Sequence, residues 1–200
     1  MEGSLPLQFL QTVAASQHVS PWNGMRRREW VDELDLADLY GSEEVSATYG
    51  KFFDQRFIDF LHRSLEELDR VNWRKFEALT GEWFARLGWH VELGPGRGDG
   101  GIDVRAWPSA EAAISEPAVF IAQCKRQKRH VEQVVVKALH ADTVHEGASR
   151  GLIVTTSTVA PGARQVIQSR GYSIEVIELG AVRQWIDAMR TPGTGLWLPE

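Results

Sequence analysis

Between residues 43 and 87 the apolar positions of this chain recur at intervals of three and four, and beyond Gly88 that rhythm stops. Phe53, Phe57, Phe60, Leu61, Leu65 and Leu68 fall on one face of a helix, which predicts a helical stretch across 43–70. Trp73, Phe76, Leu79, Trp83, Phe84 and Leu87 repeat the pattern in a second helix. Asn72 is placed to cap its start, and Gly88 is placed to end it. After Gly88 the apolar runs shorten to strand length: 89–93, 102–107, 118–125, 150–157 and 172–178. The glycine-rich stretch GPGRGDGG joins the first two as a hairpin or loop, and PSAEAAISEP connects the second to the third. Helical patterns fill 131–147, APGARQVIQSRG and GAVRQWIDAMR.

From residue 73 the predicted order is therefore α-β-β-β-α-β-α-β-α. A meander followed by βα alternation implies a mixed central sheet flanked by helices, a three-layer α/β domain. Residues 1–70 read as an N-terminal helical extension suited to docking or dimerisation. It begins as an irregular preamble over 1–41, with short helical pieces around 5–16 and 26–40. The domain proper spans 71–190, and 191–200 is a turn-rich tail.

One strand does not read as mere packing. Within AVFIAQCK, Gln123 and Lys125 lie two apart and so share one face, while Ala122 and Cys124 share the other. Asp103 stands near the start of the neighbouring strand, just after the glycine loop. If those strands pair, an acid, an amide oxygen and an ammonium can converge at one sheet edge. Hard cations such as Mg²⁺ take oxygen ligands and keep several waters. Asp103 supplies a charged oxygen, Gln123 a neutral one, and the backbone carbonyl beside Gln123 a third. Lys125 would then orient or deprotonate an attacking water and offset phosphate charge. Singly, Asp103 and Lys125 could equally form a structural ion pair at the sheet edge.

Charge alters this picture locally. The net charge of −5 supplies no global attraction for nucleic acid, so any such binding has to come from a patch. The basic run KRQKRH begins at Lys125 itself, and Arg126, Lys128, Arg129 and His130 lead from the strand into the next helix. Phosphate contacts there would hold a duplex near Lys125 without reading its sequence. The acidic segment EWVDELDLADLYGSEE could shield that surface. With Cys124 the one cysteine no intrachain disulfide can form; together with an N-terminus lacking a basic leader and no membrane-length apolar run, this predicts a cytoplasmic protein.

GDGGID, then QCK, then a helix and GLIVTTS together resemble the Mrr-like restriction endonuclease family, in the Gln-x-Lys variant of the PD-(D/E)xK nuclease superfamily. The resemblance covers roughly residues 73–190. It implies a restriction-endonuclease-like core and a Mg²⁺-dependent DNA endonuclease, with Mn²⁺ able to substitute, acting in bacterial defence. Asp103, Gln123 and Lys125 take the motif positions. KFEALTGEWF matches the family's first core helix and puts Glu77 at its acid, restoring the negative charge that Gln123 lacks. Asp103, Gln123 and Glu77 are then the expected metal ligands, and Arg97, Arg126, Lys128 and Arg129 the expected DNA contacts. Ile102 stands before the motif Asp in place of Pro, and Gln127 where an aromatic is often seen; the second departure touches substrate contacts.

Other readings are weaker on the residues. A non-catalytic subunit that keeps the fold and binds nucleic acid or a partner would not need Asp103, Gln123 and Lys125 together. A dinucleotide or Walker loop should open a helix, whereas these glycines open a strand. His140, Asp142 and His145 do not share a helical face, which argues against zinc. Cys124 alternates away from the site as a core residue, Asp99 suits loop structure, and Thr155, Thr156 and Ser157 suit capping or a phosphate contact. Cleavage of both strands needs two active sites or two visits, so a homo-oligomer or a subunit of a larger defence complex is expected.

Overall fold

The computed structural model describes residues 34–96 and 101–190. Its helices are α1 (Ala37–Gly41), α2 (Gln55–Arg63), α3 (Trp73–Arg86), α4 (Ala110–Ser115), α5 (Gln133–His145), α6 (Pro161–Arg170) and α7 (Leu179–Met189). Its strands are β1 (His90–Leu93), β2 (Val104–Trp107), β3 (Phe120–Lys125), β4 (Arg150–Thr155) and β5 (Ile174–Ile177). They form a five-stranded sheet in the order β1-β2-β3-β4-β5. β1, β2 and β3 pair antiparallel, and β3, β4 and β5 pair parallel. The expected mixed sheet is present, and β3 is where the two modes meet.

Two apolar layers sandwich that sheet. One gathers Phe57, Leu61, Phe76, Phe84 and Trp185 from α2, α3 and α7 against Val104, Ala122 and Val154. The other sets Val136, Leu139 and Ala163 from α5 and α6 against Ile121, Ile153 and Ile174. Adjacent residues of one strand thus enter opposite layers, as the twofold alternation of a strand requires. In the first layer the Trp83 and Trp185 rings stack at 5.2 Å and 7°.

The first layer also takes in the described part of the extension: Leu39, Phe53, Ile58 and Leu68 lie in the same core as Phe76 and Trp83. The helix expected across 43–70 is interrupted, however. Only Gln55–Arg63 is α-helical; a 3-10 turn covers Leu65–Asp69, with non-helical Ser64 between them (φ −136°, ψ 57°). Upstream of Gln55 a buried carboxylate on α3 competes for the backbone. Glu82 Oε2 accepts the amides of Lys51 and Phe52 at 2.8 Å and of Phe53 at 3.3 Å, while Oε1 accepts from Arg86 Nε at 2.8 Å. Asp54 then caps α2, accepting from Arg56 N. Periodicity alone could not show that a side chain from another helix would draw off these donors. Because Glu82 is fully buried, Glu82→Ala removes the carboxylate partner of Arg86 and the acceptor of these three amides together. It is expected to cost about 3–5 kcal/mol in urea unfolding; a loss below about 1 kcal/mol would mean that the turn is held by packing alone.

α3 was better specified by its sequence. Asn72 caps it by accepting from Arg74 N. Its end is a Schellman turn: Trp89 N donates to Phe84 O and Gly88 N to Ala85 O, with Gly88 at φ +88°. The Trp89 ring then meets Phe84 edge-on at 6.4 Å. A second correction concerns the link between β2 and β3, where α4 forms, started by Ser109 accepting from Ala112 N. Of the helical piece expected near 26–40, α1 is what the described residues contain. The piece around 5–16 and the tail 191–200 lie outside them.

Candidate active site

The start of β2 and the end of β3 lie beside the N-terminal half of α3, and of the sequence-predicted residues Asp103 and Glu77 meet there. The regular pairing stops at Val104↔Ala122. Asp103 continues it irregularly: its N–H donates to Ala122 O at 2.8 Å, and its carboxylate Oδ2 accepts the Cys124 N–H at 2.6 Å. A side chain has taken the acceptor role of a backbone carbonyl, so Asp103 is held against β3 just past the end of the ladder. Glu77 lies against it, the two buried carboxyl groups in hydrogen-bond contact. Glu77 Oε2 also accepts from Arg74 Nη1 at 2.7 Å, one turn earlier on α3.

Two acids this close and this dry cannot both ionise cheaply. Burial, then the Asp103 charge, raise the Glu77 pKa from an ordinary 4.5 to about 8, with Arg74 pulling the other way. The folded chain therefore holds this proton more tightly than the unfolded chain does. The stability contribution is full below about pH 4.5 and is lost as pH rises through about 8. In EDTA the melting temperature of the wild type is expected to fall across that window more steeply than that of Glu77→Gln. Parallel curves would show that Glu77 is ionised throughout.

Ala122 and Cys124 pack toward α3, and Cys124 Sγ lies 3.4 Å from Thr80 Oγ1. Gln123 and Lys125 thus leave β3 on its Ile121 side, the pairing of faces that the alternation predicts. Gln123 is buried, and its Oε1 has no hydrogen-bond partner among the described residues. Its amide sits over Gly101, where a Cβ would come within 2.6 Å of Nε2 and φ is +96°. The Lys125 backbone carbonyl is fixed by Thr155 Oγ1 at 2.7 Å and Thr156 N at 3.3 Å. Its ammonium makes no hydrogen bond or ion pair among the described residues, so the structural pairing of Lys125 with Asp103 is not what the fold builds.

These oxygens suit a hard divalent cation. Buried amide oxygens ordinarily find a donor, and the Gln123 Oε1 left without one is a group a cation would satisfy. Among the described residues no three His, Cys, Asp or Glu side chains cluster as a metal site. The buried Gln123 amide oxygen is the candidate for a further, neutral ligand.

The other sequence candidates divide. Arg126 donates through Nη1 to Asp69 O at 2.7 Å, tying β3 to the 3-10 turn, while Lys128 and Arg129 are exposed. Arg97 and Asp99 lie outside the described residues. Thr156 and Ser157 fasten the basic loop from behind: Thr156 Oγ1 accepts from Gln127 N at 3.1 Å, and Ser157 Oγ donates to Lys128 O at 3.2 Å. Burial pushes the Cys124 thiol well above its usual pKa, followed by the nearby Asp103 charge, which keeps it un-ionised and a poor nucleophile. His140 stacks on Tyr172 at 3.7 Å and 12°. Arg74 was missed by the sequence reading, although its place three residues before Glu77 on one helix was a usable signal.

The chain is 28% identical over 129 residues to the uncharacterized protein y4cE of Sinorhizobium fredii, covering 64% of this chain and 32% of that one. Among solved structures, the MspJI restriction endonuclease in complex with a 27-mer oligonucleotide aligns with a TM-score of 0.45 and 20% identity, over 84% of this chain and 37% of that one. The DNA modification-dependent restriction endonuclease AspBHI aligns with a TM-score of 0.44 and 20% identity, over 81% and 40%. The chain thus spans about a third of the length of the curated relative it matches. Residues 68–186 match the Mrr_cat restriction endonuclease model, and the chain belongs to that family.

Proposed function

We propose that this chain is a Mg²⁺-dependent endonuclease that hydrolyses DNA phosphodiester bonds in bacterial defence. The observation that supports the chemistry is the pair of touching buried carboxylates, Glu77 and Asp103; on the strand beside Asp103, Gln123 Oε1 and the Lys125 ammonium have no partner among the described residues. A cation would satisfy the Gln123 oxygen and offset the repulsion between the two buried acids. Family membership supports the nuclease class and the defence setting.

Asp103, Glu77 and Gln123 would hold the divalent cation, which supplies Lewis-acid stabilisation of the phosphoryl oxygens and a water of lowered pKa. Lys125 offsets charge that builds on the scissile phosphate and orients the attacking water. Its fixed backbone and unpaired ammonium leave it free to do so without breaking an existing contact. Lys128 and Arg129 bind flanking phosphates from the fastened loop, so affinity falls steeply with salt. Arg97 is a further phosphate contact in this reading, and Arg126 sets the position of the loop. A homo-oligomer or a larger complex would bring two such sites to opposite strands.

Incubation of supercoiled plasmid with the full chain in Mg²⁺, Mn²⁺ or EDTA tests this reading, with single-stranded RNA as a parallel substrate. Nicking in either metal and none in EDTA is the expected result. Cleavage of RNA alone would reassign the substrate, and plasmid cutting that persists in EDTA would remove the metal.

A further inference from the structure

We infer that Arg74 is a positioning residue for the cation site, holding both of its carboxylates in place; this rests on the endonuclease reading above. The guanidinium is itself largely buried, with 12% of its side chain exposed. It has two acceptors on different elements: Glu77 Oε2 at 2.7 Å through Nη1, and Gly94 O at 2.7 Å through Nη2. Gly94 in turn donates its N–H to Asp103 O at 2.8 Å. One planar side chain is therefore bonded to the first carboxylate directly and to the backbone that carries the second through one intervening residue, Gly94.

The arrangement is stiff at every joint. Asn72 Oδ1 holds the Arg74 amide at 2.8 Å while capping α3. Gly96, at φ +83°, lets the chain pass so close that a Cβ there would lie 3.4 Å from Arg74 Cζ. Gly94 and Gly96 belong to the glycine stretch that precedes Asp103, so the same guanidinium fixes where that stretch starts. A lysine could meet one of these acceptors with a point charge but could not span both with a planar fork.

The test is Mn²⁺ binding followed by electron paramagnetic resonance on the full chain, for wild type, Arg74→Gln, Arg74→Lys, Glu77→Gln and the double variant Arg74→Gln/Glu77→Gln. Arg74→Gln is expected to weaken Mn²⁺ binding about 10- to 100-fold, as loss of a residue supporting metal ligands does. Arg74→Lys should fall between it and wild type. With Glu77 already replaced, the Arg74→Gln effect should shrink at least about threefold, because the two act as a unit. An unchanged Mn²⁺ affinity in Arg74→Gln, or an effect undiminished in the double variant, overturns the positioning role and leaves the nuclease reading standing. Wild type that binds no Mn²⁺ at millimolar concentration overturns both. Near-ultraviolet circular dichroism checks folding, and if Arg74→Gln unfolds, the comparison passes to Arg74→Lys with and without Glu77→Gln.

Discussion

Lys125→Ala is expected to lower metal-dependent nicking of supercoiled plasmid by about 100- to 1000-fold, the usual consequence of removing one preorganised group that stabilises transition-state charge. The expectation follows from what the side chain does not do. Lys125 has its backbone carbonyl held by Thr155 and Thr156, yet its ammonium makes no bond among the described residues. Truncation therefore removes no structural contact, and stability should move by no more than about 0.5 kcal/mol. DNA affinity should fall only slightly, because Lys128 and Arg129 remain. A large loss of rate with a small loss of binding is the pattern of an interaction made in the transition state. Nicking that stays within about threefold of wild type would mean that Lys125 is a solvated strand-end charge.

Asp103→Asn separates two roles that the fold assigns to one carboxylate. As a strand-end acceptor, Asp103 takes the Cys124 N–H at 2.6 Å, and an asparagine oxygen can do the same. As a metal ligand it needs its charge. The variant should therefore fold, lose Mn²⁺ binding and lose nicking by at least about 100-fold, since Lewis-acid stabilisation contributes several kcal/mol. It should also relieve Glu77, whose raised pKa owes its second-largest contribution to the Asp103 charge. Removing that charge lowers the Glu77 pKa toward the ordinary range, so the metal-free variant should lose less stability than wild type between pH 4.5 and 8. If Asp103→Asn kept wild-type cutting and Mn²⁺ affinity, the carboxylate would be structural and the site would lie elsewhere.

Much of this was legible beforehand because it depends on local rules. α3 announced itself by its apolar spacing, by Asn72 at its start and by Gly88 at its end, and its Schellman turn needs only those residues and Trp89. The twofold alternation of β3 alone separates Gln123 and Lys125 from Ala122 and Cys124, and the core places Ala122 and Cys124 in the layer opposite Ile121. The order of strands and helices implied the mixed sheet.

The misses have a common cause. Phe53 continues the apolar stripe of α2, yet the helix cannot include it, because Glu82 draws the amides of Lys51, Phe52 and Phe53. Likewise, Arg74 reads in sequence as one more exposed helical arginine, and only the arrival of Gly94 over α3 gives its second nitrogen an acceptor. Both contacts join residues far apart in the chain, and no window of local periodicity contains both partners.

The sequence by itself determined which residue types carry the chemistry, which faces of β3 they occupy and which elements bear them. Those properties follow from side-chain identity and from the fixed periods of helix and strand. Tertiary structure alone decided that Asp103 would end the β2–β3 ladder with its own carboxylate and meet Glu77, and that Gln123 Oε1 and the Lys125 ammonium would be left without partners among the described residues. Proximity and burial are set by how layers close on one another, and it is that closure which turns an ordinary glutamate into one that keeps its proton to about pH 8.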